Sequence, residues 1–240
     1  ARRRFLDRLI YGFDPAHAGR LAAYEKALRE RAKLLKQGIR DNIWLKSIEA
    51  QMVERGIAVA AARKDMAERL DIACARAHGP FPGAKLSVRG FIEDKLGQLP
   101  AIEVEDQFAI ALQQSRDSDS ETGGALHGPH KSDLDVTHLE KNMPAALCST
   151  GEQKALLIAI VLAHAKLQAA ERGVAPLLLL DEVAAHLDSA KRSSLFDTIS
   201  SLGSQCWLTG TEPNVFDELK GRAQFFHIKD GKLTAPEIIT

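Results

Sequence analysis

Residues 148–188 read CSTGEQKALLIAIVLAHAKLQAAERGVAPLLLLDEVAAHLD, and the order of polar and apolar blocks in this stretch decides the fold. A polar start at Cys148–Lys154 leads into an apolar pattern at helical spacing, which predicts a helix over 153–171. Leu177, Leu178, Leu179 and Leu180 follow as an uninterrupted apolar run, short enough for a buried strand, and then Asp181 and Glu182. Downstream the alternation continues, with a helix predicted over 188–202 and strands over 205–209 and 224–229. The last strand turns at Asp230 and Gly231, a hairpin signal. Short apolar strands alternating with helices predict an α/β fold with a mainly parallel, buried sheet.

Asp181 and Glu182 stand at the C-terminal end of a buried strand, which is where open α/β sheets put their ligands. An Asp there can hold Mg²⁺ through its waters, and the Glu after it can polarise the water that attacks a γ-phosphate. That is a Walker B arrangement, although apolar residues before Asp-Glu also occur at ordinary strand ends. Upstream, Ser149, Thr150 and Gly151 open a helix, offering a hydroxyl and backbone N–H groups to an anion with the help of the helix dipole. Taken alone, the same residues read as a plain N-cap, with Ser149 or Thr150 capping and Glu152 in the first turn.

The two motifs together, in this order, resemble the ABC-type ATPase family. There a signature of the form LSGGQ starts a helix and contacts nucleotide held by the other subunit; here it reads CSTGEQK. After Walker B, Ala185, His186, Leu187 and Asp188 resemble the D-loop, whose Asp crosses the dimer interface. The resemblance implies Glu182 as the catalytic residue and Asp181 as the Mg ligand. It further implies Ser149, Thr150, Gly151, Gln153, Lys154 and Asp188 as residues acting on ATP in trans. One departure stands out. A switch histidine should follow the strand over 205–209, but the chain reads Thr209, Gly210, Thr211, which implies that γ-phosphate sensing there is weakened or taken over by a hydroxyl and that hydrolysis is slow.

Within that family the chain resembles RecF proteins. RRRFLDRL over residues 2–9, a helical pair entered through Tyr24 and Leu28, the run Gly128, Pro129, His130, Lys131, Ser132, Asp133, and the signature with Glu152, Gln153 and Lys154 carry this resemblance. It implies an ATPase head fused to a helical second lobe, a homodimer formed around ATP, and binding to DNA at single-strand gaps or junctions. Recombinational repair and replication-fork maintenance, RecR and RecO-type partners, and a cytoplasmic location complete the expectation.

The upstream half reads as helical. Residues 16–37 are rich in Ala, Leu, Glu, Lys and Arg with apolar residues at helical spacing, and residues 41–77 keep Trp44, Ile48, Met52, Val59, Met66, Leu70 and Ala73 on roughly one face. An antiparallel helical pair is expected. A strand over 85–92 and a helix over 103–115 follow, and the acidic stretch 115–124 reads as a surface loop without the spacing of a calcium loop. The expected division is a mainly helical lobe over 1–125 and the C-terminal part of the ATPase head over 126–240. Arg2, Arg3, Arg4 and Arg8 form the densest positive cluster and are candidate phosphate contacts, as are His130 and Lys131 on their Gly-Pro turn. Solvated or internally paired arginines, and a His130 bonded only to backbone, are the competing readings.

Whole-chain properties bound these readings. Among 240 residues, 32 Lys and Arg balance 32 Asp and Glu, so no global basic field advertises nucleic acid. The three cysteines show no pairing or metal spacing, which fits a reducing compartment. No apolar run approaches the roughly 20 residues a bilayer demands. No G-x-x-x-x-G-K-[ST] phosphate loop occurs; Gly231 and Lys232 are followed by Leu233. Since the chain also opens on Ala1 without methionine, the expectation is a fragment or separately coded C-terminal part whose Walker A lobe is absent. A weak ATPase is then expected of the full-length protein and no turnover of this chain alone. Two alternatives stand beside this reading: a nucleotide-independent interaction module, and another ABC-type subunit such as that of a transporter, against which the long helices at the start of the chain argue.

Overall fold

Helix α1 spans Arg2–Tyr11, α2 Ala16–Lys36 and α3 Asn42–Cys74. Asp41 starts α3 by accepting hydrogen bonds from the backbone of Ile43 and Trp44, satisfying donors that the helix itself leaves unpaired. The α2–α3 pair is antiparallel, as expected: Arg31 bonds Glu49 at 2.9 Å, and a Cβ on Gly56 would lie 3.3 Å from the Tyr24 ring, so positions advance along one helix as they retreat along the other. A computed structural model describes residues 2–39, 41–75 and 79–233. It divides into two compact units, residues 1–75 with 84–148, and residues 76–83 with 149–240.

In the first unit, strand β1 (Ala84–Arg89) pairs antiparallel with β2 (Asp133–His138), and β2 with the short β3 (Met143–Pro144). Along β1, Ala84 and Leu86 are buried while Lys85 and Ser87 are exposed, the period of a sheet with one covered face. The Leu86 amide donates to Asp71 on α3 at 2.7 Å. Helices α4 (Phe91–Leu96) and α5 (Ala101–Gln114) complete the core around Tyr24, Met52, Ile57, Ile92, Phe108 and Leu112.

The acidic stretch expected to be a loop is instead helix α6 (Arg116–Thr122). Its Asp119 is buried, accepting from Arg31 at 2.7 Å, Ser115 Oγ at 2.6 Å and the Leu126 amide at 2.9 Å. Acidity here satisfies a buried arginine rather than solvent. Because β2 pairs with β1 and the 128–133 turn bonds α1 and α3, residues 126–148 fold with the helices. The boundary between the units therefore falls at 148/149, whereas the sequence division placed it after 125.

The second unit holds α7 (Thr150–Arg172), β4 (Leu178–Leu180), α8 (Ser189–Leu202), β5 (Cys206–Leu208) and the hairpin β6–β7 (Ile228–Lys229, Lys232–Leu233). Its core gathers Ala155, Ile158 and Leu162 of α7, Leu178 of β4, and Leu195, Phe196 and Ile199 of α8. The expectation of a mainly parallel sheet requires correction. Only β4 and β5 run parallel, joined through α8, while the remaining pairings among the described residues are antiparallel. The apolar runs that suggested the strands carry no information on direction, and the expected burial holds for one face only: Leu178 is buried while Leu179 and Trp207 are exposed. The Asp230–Gly231 turn forms as expected, both residues at positive φ.

Candidate functional site

Strands β4 and β5 lie in register with Leu180 opposite Leu208, so the residues that follow them emerge side by side. The Thr209 amide donates to Leu180 O at 3.1 Å. Its hydroxyl donates to Asp181 Oδ1 at 2.5 Å and accepts the Glu182 amide at 3.1 Å. Glu182 has φ +53°, a left-handed conformation that costs a non-glycine residue about 1–2 kcal/mol. One threonine thus clasps both acidic residues, the first by its carboxylate and the second by its backbone.

A Cβ on residue 210 would stand 2.7 Å from the Phe216 ring. With Phe216 packed on the unit's core, position 210 takes no side chain in this arrangement, and the hydroxyl of Thr209 is the group presented beside the carboxylates.

Asp181 is exposed, and only its Oδ1 is engaged among the described residues. No group of three or more His, Cys, Asp or Glu side chains among those residues is arranged to hold a metal. A single exposed carboxylate with one oxygen unengaged suits Mg²⁺, which commonly takes one or two carboxylates and completes its shell with phosphate oxygens and water. The residues present therefore fit such an ion as part of a ligand set.

At the start of α7, Ser149 and Glu152 form a reciprocal capping box: the Ser149 amide donates to Glu152 Oε2 at 2.9 Å, and the Glu152 amide to Ser149 Oγ at 3.4 Å. The amides of Thr150 and Gly151 have no intrahelical acceptor. Both residues are exposed, as are Gln153 and Lys154. A Cβ on Gly151 would meet nothing within 4 Å, so nothing among the described residues demands glycine there. Asp188 caps α8, accepting the Lys191 amide at 2.9 Å and pairing with the Lys191 ammonium. These bonds hold its carboxyl below the usual range.

The residues expected to meet phosphate in the first unit divide by environment. Arg2 pairs with Asp133, and Arg3 donates to Ser132 O at 2.7 Å. Both ring nitrogens of His130 are engaged, Nδ1 with the Tyr24 hydroxyl at 2.7 Å and Nε2 with Ala125 O at 2.8 Å; burial lowers its pKa, which favours the neutral ring. A Cβ at Gly128, whose φ is +135°, would lie 2.2 Å from the Tyr24 hydroxyl, so the Gly-Pro turn is built for close approach. Arg4, Arg8 and Lys131 are exposed.

Two residues escaped the sequence reading. Thr209 reads in the sequence only as part of a stretch with a hydroxyl where a switch histidine is expected; its bonds to Asp181 and Glu182 follow from strand register. Arg63 lies on the apolar stripe of α3, 3% exposed; a charge on that stripe was the available signal.

No family model matches the chain. Curated relatives do. Over 236 residues the chain is 50% identical to the DNA replication and repair protein RecF of Agrobacterium fabrum (strain C58 / ATCC 33970), covering 98% of this chain and 62% of that protein. It is 49% identical to the RecF of Brucella abortus (strain 2308), covering 97% and 61%, and 48% identical to that of Mesorhizobium japonicum, covering 98% and 63%. The chain belongs to the RecF family. It spans about 62% of the length of the RecF relatives it matches. Among solved structures, the recombination mediator protein RecF-ATP in the RecFOR pathway superposes with a TM-score of 0.80 at 21% identity, over 97% of this chain and 62% of the other. A second, RecF-ATPrS, gives 0.79. The RecF fold therefore extends over nearly all of this chain.

Proposed function

We propose that this chain is the signature and Walker B portion of a RecF-type ATPase that binds DNA in recombinational repair and at replication forks. The carboxylate pair at the C-terminal end of the parallel β4–β5 pair carries the reading. Asp181 would hold Mg²⁺, which would supply charge stabilisation at the phosphates, and Glu182 would polarise the attacking water. Ser149, Thr150, Gly151, Gln153, Lys154 and Asp188 serve ATP bound by a second copy, giving an ATP-dependent homodimer. The exposed helix start at Thr150 and Gly151, with a glycine that no described neighbour requires, supports this.

Arg4, Arg8 and Lys131, exposed on the first unit, are the side chains most available to DNA phosphates, with Arg2, Arg3 and His130 holding the surrounding turn. RecR and RecO-type partners and a cytoplasmic setting accompany the reading by analogy with the relatives. No described helix is long and apolar enough to cross a membrane.

The test grafts this chain into the Agrobacterium fabrum relative in place of its matched stretch. ATP-dependent dimers are expected in sizing experiments, and Ser149→Arg should abolish them; dimerisation indifferent to that change counts against the reading. The 240-residue chain by itself should show no ATP turnover, and turnover lost on Glu182→Gln would overturn that expectation.

A further inference from the structure

We propose that Thr209 is the positioning residue of the carboxylate pair, locking Asp181 and Glu182 into one geometry through a single hydroxyl. The inference rests on the nucleotide reading above and deepens it. A threonine hydroxyl has one proton and two lone pairs, and here the proton goes to Asp181 Oδ1 while a lone pair receives the Glu182 amide. The second bond matters because Glu182 sits at φ +53°, a conformation that persists only when its surroundings over-determine it. Thr209 is itself fixed through its amide, which continues the β4–β5 ladder onto Leu180 O. The hydroxyl therefore transmits strand register to the two acids.

The bond to Asp181 has a directional consequence. With Oδ1 occupied by a donor, the lone pairs of Oδ2 remain for a cation's water shell. Gly210 closes the alternative, since a side chain there would meet the Phe216 ring. Thr209 acts through the two acids it holds, so its loss should act on the chemical step more than on nucleotide affinity.

Thr209→Val removes both hydrogen bonds at nearly constant shape, and Thr209→Ser keeps them. In the grafted protein, single-turnover ATP hydrolysis by Thr209→Val should fall about 10-fold to 100-fold, with the KM for ATP changed by less than about threefold. Thr209→Ser should stay near the parent. In the 240-residue chain, amide hydrogen exchange at Glu182 should speed up at least about tenfold in Thr209→Val and not in Thr209→Ser. Unchanged exchange overturns the proposal, as does a Thr209→Val rate within about twofold of the parent while Glu182→Gln abolishes turnover; that second result leaves the carboxylate reading standing. Equal losses in the Val and Ser variants also overturn it. A graft that never turns over, or whose turnover survives Glu182→Gln, sinks the nucleotide reading itself and the role of Thr209 with it.

Discussion

Arg63 of α3 grips Asp7 of α1 through two parallel hydrogen bonds, Nε to Oδ1 at 2.8 Å and Nη2 to Oδ2 at 2.9 Å. Its remaining nitrogen, Nη1, holds the Gly-Pro turn at Pro129 O, 2.5 Å away, and at Ser132 Oγ, 3.0 Å away. One buried side chain therefore joins two helices and the Gly-Pro turn that carries Lys131.

Removing that guanidinium leaves a nearly buried carboxylate with His17 as its remaining partner and takes a donor from two turn acceptors. Arg63→Met should destabilise the chain by about 3–5 kcal/mol in urea unfolding. The double variant Arg63→Met with Asp7→Leu should lose clearly less than the sum of the singles, because the stranded charge goes too. Additive losses would mean that Asp7 does not depend on Arg63.

Two carboxyls give opposite pH signatures. Burial alone would raise the pKa of Asp7, but hydrogen bonds from His17 and Arg63 outweigh it and hold the carboxyl below its ordinary 3.8. The unfolded chain then binds more protons as pH falls, so the stabilisation is present above the unfolded value and is lost on acidification through the folded one. Glu93 is the reverse. It is 2% exposed, and burial raises its pKa above 4.5, outweighing the opposing pull of its own amide, the Ser132 hydroxyl and Arg63. Here the folded chain holds its proton longer, so stability falls as pH rises from the unfolded value through the folded one. Glu93→Gln should accordingly stabilise the chain on the order of 1 kcal/mol at pH 7–8 and have little effect near pH 4. A larger stabilisation at pH 4 than at pH 8 would contradict the sign.

How much of this was legible in the sequence depends on the range of the contacts involved. The capping box was readable because Ser149 and Glu152 stand three apart, and α3 was readable from its stripe. Helix α6 was not, since the partner that buries Asp119 is Arg31, far away in the chain. Strand direction was equally hidden: an apolar run such as 177–180 announces a strand, but neither its burial on both faces, since Leu177 and Leu179 are exposed, nor its pairing, which is settled by which strand the connection brings alongside. The clasp at Thr209 depends on that register and could not precede it.

The capping role and the proposed nucleotide role of Ser149 are separable. Ser149→Ala should cost about 1 kcal/mol of stability and Ser149→Gly only a few tenths. Ser149→Asp keeps a good cap while placing a carboxylate where the proposal puts a phosphate. Unfolding of this variant should match the parent, and in the grafted protein its ATP-dependent dimer should disappear from the sizing profile. Intact dimers would return Ser149 to a purely local role.

The β4–β5 pair distinguishes its two faces at consecutive residues. Leu178 is 7% exposed and packs in the core with α7 and α8, whereas Leu179 is 72% exposed and lies opposite Trp207, itself 52% exposed and stacked on Phe226. Side chains on a strand alternate between faces, so one face is filled from within the second unit and the other stands open among the described residues. Leu178→Ala should therefore cost about 2–5 kcal/mol through the cavity it leaves, while Leu179→Ala should change stability by less than about 0.5 kcal/mol in the chain alone. The same Leu179→Ala change in the grafted protein reports on what covers that face. If residues from the remainder of the relative's length pack there, its cost should rise toward that of Leu178→Ala. A cost that stays near zero would show that the face remains open to solvent in the longer protein as well.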